Sequence, residues 1–231
     1  MKDVNLDLLV DVVERLVPLL DEIVLVGGCA TGLLVTDPGA SSVRRTFDVD
    51  VIAEIISYSE FVAFSERLTK LGLLLDTSEG APACRWICGE SKLDVMPLEE
   101  SLLGFSNRWY RQAMETATKT ELPTGRTIRV ITAPYFVATK LEAFYGRGKG
   151  DFLSSHDLED VITVMDGRPT LLEEVGSVTA EVRQYIGNQC EGLLASSRFH
   201  DALPGYVLPD ESSQRRIPAL LSLLKELGQF K

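Results

Sequence analysis

Glu22-Ile-Val-Leu-Val26-Gly27-Gly28 and Thr46-Phe-Asp48-Val-Asp50-Val-Ile-Ala53 are the two pieces of sequence on which the fold turns. The first is a short apolar run closed by two glycines, which reads as a buried strand with a tight exit. Cys29 to Val35 then reads as a helix, and Thr36-Asp-Pro-Gly-Ala-Ser-Ser42 as a loop rich in breaker residues. Phe47 to Ala53 reads as the next strand. Successive strand side chains point to opposite faces. Asp48 and Asp50 therefore share one face while Val49 and Val51 enter the core, with the two aspartate Cα atoms roughly 6.5 Å apart. The stretch Lys92-Leu-Asp94-Val-Met96 repeats the alternation, with Asp94 on one face and Leu93 and Val95 on the other. If these strands are neighbours, three carboxylates converge.

Like charges crowded in this way raise one another's pKa, and a bound divalent cation reverses that penalty. Mg²⁺, or Mn²⁺ in its place, takes oxygen ligands and keeps substrate phosphates and water in its shell. Gly27-Gly28 sits where a strand hands over to a helix, so backbone N–H groups and the helix dipole can face an anion. Glycine also lets phosphate oxygens approach the backbone closely. Taken singly, Asp-x-Asp can equally line a solvated sheet face, and Gly-Gly can be only a tight turn. Taken together with Asp94, they predict a site for a metal ion and a triphosphate.

The rest of the chain extends this pattern in both directions. Leu6, Leu9, Val10, Val13, Leu16, Val17 and Leu20 recur at helical spacing, predicting a helix over 6–20. A helix capped by Ser57 or Ser59 is expected to reach about Leu71. Strands are expected at 73–76, 83–88 and 91–96, the last two joined at Gly89-Glu90. A helix is expected at 105–117, and a hairpin of 118–122 with 127–131 across Pro123-Thr-Gly125. From Pro134, which suits a first helical turn, only helices are expected: 134–146, 155–166, 170–175, 178–191 and 212–227. This predicts an α/β (α+β) part over 1–132, a mixed sheet flanked by helices, followed by a helical part over 133–231.

Of the 231 residues 45% are hydrophobic and 25% charged, an ordinary globular balance rather than a disordered one. No apolar run approaches the ~20 residues that span a bilayer, and Met1–Asp7 lacks the layout of a signal peptide. A cytoplasmic protein without membrane contact is the expectation. The net charge of −11 excludes a generally basic nucleic-acid binder. Local basic groups remain at Arg44-Arg45, Arg108/Arg111, Arg147-Gly-Lys149 and Arg215-Arg216. Cys29, Cys84, Cys88 and Cys190 match neither a redox nor a zinc spacing and read as buried thiols. With only two histidines, a His-rich metal site is not expected.

The combination of Gly27-Gly28, Asp48-Val-Asp50 and Asp94 resembles the signature of the DNA polymerase beta-like nucleotidyltransferases. Downstream, Thr139-Lys140-Leu-Glu-Ala-Phe-Tyr-Gly-Arg147 and Ser155-His-Asp157-Leu-Glu-Asp160 resemble the Lys…Arg…Asp-Leu-x-Asp block of the AbiEii/AbiGii-type toxin family. The resemblance covers about residues 22–165. It implies a nucleotidyltransferase fold and Mg²⁺-dependent transfer of NMP from an NTP to an acceptor hydroxyl, with pyrophosphate released. Asp48, Asp50 and Asp94 would be the metal ligands, with Asp94 also helping to activate the hydroxyl. Gly27, Gly28, Arg45, Thr46 and Lys140 would bind the nucleotide, and Asp157 would orient its partners. The insertion Gly148-Lys-Gly-Asp-Phe-Leu-Ser154 separates Arg147 from Asp157 and makes Asp151 or Asp160 a rival for that role. The implied acceptor is tRNA or protein, with a cognate antitoxin as partner. Gly-Gly-x-Ala and Arg-x-Thr-x-Asp-x-Asp also resemble aminoglycoside nucleotidyltransferases, whose acceptor is a cationic small molecule. A third reading is a non-catalytic, antitoxin-like member that uses the fold for binding.

Overall fold

Seven strands form one mixed sheet in the computed structural model of the protein, which describes residues 3–40 and 42–230. The chain groups into two units. Residues 3–32 and 44–132 make the sheet unit; residues 33–40, 42–43 and 133–230 make the helical unit.

In the sheet unit the strands are β1 (Ile23–Val26), β2 (Asp48–Ala53), β3 (Leu74–Leu75), β4 (Arg85–Cys88), β5 (Ser91–Met96), β6 (Thr118–Glu121) and β7 (Thr127–Val130). Their order across the sheet is β3-β4-β5-β2-β1-β7-β6. β2 runs antiparallel to β1 and parallel to β5, while β4 and β5 form an antiparallel hairpin. Val49 and Val51 are buried, together with Leu9, Val12, Val13 and Leu16 of the N-terminal segment. These side chains meet on one face of the sheet. The alternation of β2 thus sends its valines under the first helix and its aspartates to the opposite face.

That helix, α1 (Leu6–Arg15), is shorter than its leucine and valine spacing predicts, and the chain continues as a 3₁₀ turn over Val17–Leu19. Pro18 has no N–H to donate to the carbonyl four residues back, so the α-helix stops ahead of it. α2 (Gly27–Leu34) begins at the first glycine itself rather than after the pair. α3 (Tyr58–Lys70) has Ser57 as its cap, with Glu60 N–H donating to the Ser57 hydroxyl and Ser57 N–H donating to the Glu60 carboxylate. The helix expected over 105–117 is confined to α5 (Tyr110–Glu115), preceded by a short α4 (Glu100–Leu103). Gly104, at φ 77°, ends α4, and the Asn107 side chain accepts from Trp109 N–H, offering the backbone a local alternative to helix.

The helical unit contains α6 (Ala133–Tyr145), α7 (His156–Gly167), α8 (Leu171–Ser177), α9 (Ala180–Ala195), α10 (Ser197–Ala202), α11 (Glu211–Gln214) and α12 (Ile217–Leu227). α6 packs against α7, α8 and α9, and α12 closes over α7, α8 and α9. Every residue of α6 from Ala133 to Leu141 is buried, Lys140 included. α10 was not expected, and the helix expected over 212–227 is divided into α11 and α12. Pro218 lies in the first turn of α12, where its missing N–H costs nothing, so the helix restarts there.

Residues 33–40 and 42–43 join this unit through a set of polar contacts. Thr36 and Asp37 both donate their N–H to the Gly167 carbonyl, at 2.8 and 2.9 Å. Arg168 donates to the Leu34 carbonyl, and Arg216 bridges Asp37 and Asp166. All four cysteines are buried thiols, and Trp86 and Trp109 are core residues. Among the described residues, no helix is long and apolar enough to cross a membrane.

Candidate functional site

The three aspartates lie on adjacent strands of the sheet unit. Asp50 of β2 is the register partner of Asp94 in β5, and on the other side of β2 it pairs with Val26 of β1, immediately before Gly27. Neighbouring strands are about 4.8 Å apart, so Asp50 and Asp94 stand side by side, with Asp48 one pleat further along the same face. Asp94 is buried, while Asp48 and Asp50 are half-buried.

Gly27 is fixed in place by two separate requirements. Its φ is +65°, a conformation L side chains rarely adopt. A Cβ at this position would also stand 1.9 Å from the Asp50 Oδ2. Gly28 lies beneath Arg44 and Thr46: a Cβ there would meet Arg44 Nη2 at 2.9 Å and Thr46 Oγ1 at 3.2 Å. Thr46 is buried, and its hydroxyl donates to Asp48 Oδ1 at 2.9 Å, while its N–H donates to Asn5 Oδ1. Thr46 therefore orients an aspartate from beneath. Arg45 turns outward, its guanidinium 5.7 Å from the centre of the exposed Phe47 ring.

Sequence reasoning missed two arginines. Arg44, read as part of a solvated basic pair, is the one that lies against Gly28. Arg85 of β4 reaches into the aspartate row: Nε donates to Asp94 Oδ1 at 2.8 Å, and Nη2 donates to both Asp94 Oδ2 and Asp48 Oδ2 at 2.7 Å. The fork on Asp94 and the second acid at Asp48 hold the guanidinium pKa well above its ordinary value, the hydrogen bond to Asp94 being the largest cause. A signal for Arg85 did exist in the sequence. Counting back from the Gly89-Glu90 turn pairs Cys88 with Ser91 and brings Arg85 opposite Asp94, as the register has it.

The donors on this face are carboxylate oxygens, the ligand type a hard divalent cation takes, and a cationic group already lies where two of them converge. In the present arrangement the guanidinium takes those oxygens. Among the described residues no group of three or more His, Cys, Asp or Glu side chains is arranged to hold a metal ion.

The other predicted residues form a second cluster, within the helical unit. Lys140 Nζ lies 3.0 Å from Asp157 Oδ1 and 2.8 Å from Asp160 Oδ2, and all three side chains are largely buried. Asp157 also accepts from the exposed Arg147. Burial works to raise the Asp157 pKa, but the Lys140 and Arg147 charges outweigh it and hold the carboxyl below its ordinary value. Asp160, the rival raised by the insertion, is thus a partner of Lys140 as well, while Asp151 is exposed and caps its own turn through Leu153 N–H.

No protein-family profile matches this chain, and no curated protein matches its sequence. Among solved structures it is similar to JHP933 from Helicobacter pylori, at TM-score 0.46 and 14% identity over 97% of this chain and 87% of the other. It is also similar to a protein described as a "putative nucleotidyltransferase" from H. pylori, at TM-score 0.44 and 14% identity over 97% and 90% of the two chains.

Proposed function

We propose that the protein is a nucleotidyltransferase that moves NMP from an NTP to an acceptor hydroxyl. One observation carries this reading: Asp48, Asp50 and Asp94 share one face of adjacent strands directly beside the Gly27-Gly28 start of α2. The reaction forms a bond from the acceptor oxygen to the α-phosphorus and breaks the bond to the pyrophosphate, while the hydroxyl proton passes to a base. Asp94 would take that proton once Arg85 has moved off the two oxygens it now holds. Asp48 and Asp50, with Asp94, would hold Mg²⁺ or Mn²⁺. The ion, when bound, supplies charge stabilisation at the attacking and leaving oxygens.

The N–H groups at the start of α2, with Arg44 above Gly28, offer donors to phosphate oxygens. Thr46 keeps Asp48 in position. Lys140 as a triphosphate ligand and Asp157 as its orienting partner rest on the resemblance to the AbiEii/AbiGii-type toxins, and their ion pair supports that pairing. The same resemblance supports tRNA or protein as acceptor, a cognate antitoxin as partner and the cytoplasm as setting. The net charge of −11 favours a second reading, a cationic small-molecule acceptor of the aminoglycoside type. The closure of Asp48 and Asp94 by Arg85 favours a third, a binding member without turnover.

The deciding experiment incubates the protein with each α-labelled NTP and Mg²⁺, adding in turn total tRNA, cell protein and aminoglycosides. Label in one acceptor class identifies the branch. Label in none, with nucleotide still bound, supports the binding reading and removes the transferase proposal.

A further inference from the structure

Arg85 is the feature of the aspartate row that the proposed chemistry does not use. Its Nη2 lies 2.7 Å from one oxygen of Asp48 and 2.7 Å from one oxygen of Asp94, and its Nε completes a fork on Asp94. The guanidinium is mostly enclosed, with 17% of its side chain exposed, and Asp94 beneath it has 9% exposed. Thr46 satisfies the remaining oxygen of Asp48. Every carboxylate oxygen of Asp48 and Asp94 therefore already accepts a hydrogen bond. Mg²⁺ takes such oxygens at about 2.0–2.1 Å, and here it would do so against the positive charge of a guanidinium held 2.7 Å from one oxygen of each acid.

We propose that Arg85 is a tethered cation that competes with the divalent metal for Asp48 and Asp94, so that the site takes up metal only as the guanidinium withdraws. The inference rests on the metal-dependent reading of the site but concerns affinity rather than turnover. A binding-competent form that is a minor fraction of the population weakens the apparent affinity by that fraction. Arg85 accordingly sets the metal concentration at which the site fills. It is a positioning residue for the aspartates in the metal-free state and an opponent of the metal.

The test is a Mn²⁺ titration followed by electron paramagnetic resonance on the full chain. Arg85→Gln should bind Mn²⁺ at least about tenfold more tightly than the unmodified protein, and adding Asp48→Asn to that variant should remove the gain. Arg85→Lys, which keeps the charge but cannot form the fork, should fall between the two and covers the case in which the glutamine variant does not fold. In the unmodified protein, Mg²⁺ should shift the Arg85 Nε–H resonance away from its carboxylate-bonded position. Equal or weaker Mn²⁺ binding by folded Arg85 variants, or an Nε–H signal unmoved at saturating Mg²⁺, overturns the proposal. So does the absence of Mn²⁺ binding in every variant. Labelled-NTP transfer on the same preparations separates the two ideas. Tighter metal binding without transfer leaves Arg85 as inferred and removes the enzymatic reading; transfer with unchanged metal affinity does the reverse.

Discussion

The Asp50 carboxylate lies against the Cα of Gly27, in the space a β-carbon would need. The pairing of Val26 with Asp50 across β1 and β2 creates this contact, bringing the end of one strand level with the acidic row of the next. Gly27→Ala should therefore damage the fold and the site together. The positive φ alone costs about 1–3 kcal/mol, and the added methyl must also push Asp50 aside. Urea denaturation should show the lost stability, and NTP transfer by the remaining folded protein should fall with it.

Asp48→Ala and Asp50→Ala should each reduce nucleotidyl transfer at least about 100-fold while the circular dichroism spectrum stays that of the parent. Both side chains are half-buried on the face opposite the α1 contacts, so their removal opens no core cavity. Undiminished transfer by either variant would remove the proposed chemistry.

Lys140→Ala tests the helical unit. Removing the ammonium leaves Asp157 and Asp160 as buried acids without it, a loss expected to cost about 3–5 kcal/mol. Thermal melting of the variant reads this directly. A fall in activity would implicate Lys140 in phosphate binding only if measured where the variant remains folded.

The same cluster gives the protein an acid limit. The Asp157 pKa is depressed in the folded state, so its contribution to stability is present above the unfolded value of about 4 and is lost as pH falls through the folded value. The gap in melting temperature between the parent and Asp157→Asn should be widest near neutrality and should close below about pH 4. A constant gap across that range would show that the charge of Asp157 does not carry the effect.

Ser57→Ala should cost about 1 kcal/mol, because it removes the hydroxyl that accepts from Glu60 N–H at the start of α3. Chemical denaturation at neutral pH is sufficient to see it.

The mixed sheet and the acidic row were legible in the sequence because both follow from period-two alternation, which Val49, Val51, Leu93 and Val95 display cleanly. The cap of α3 was legible only as Ser57 or Ser59, a local rule of residue type, and the structure settles on Ser57 with Glu60 as its partner. Arg85 was hidden by its neighbours: between Cys84 and Trp86 it reads as one charged position on a short strand. Only the hairpin register brings it to Asp94. Arg44 and Arg45 show the limit of reading adjacent residues as a pair, since the chain sends one inward over Gly28 and the other out against Phe47. The stop at Pro18 and the restart at Pro218 were present as proline chemistry, but helical periodicity on either side obscured them.

The contacts of Thr36, Asp37 and Leu34 with Gly167, Arg168 and Arg216 have a consequence for biosynthesis. A ribosome that has extruded the chain only as far as 132 has made every strand, yet the link between α2 and β2 still lacks its acceptors and its guanidinium partners. The amides of Thr36 and Asp37 stay in water until Gly167 emerges, and Asp37 gains its guanidinium partner only once Arg216 follows. Truncations made at the 132/133 boundary should inherit this segment without those partners.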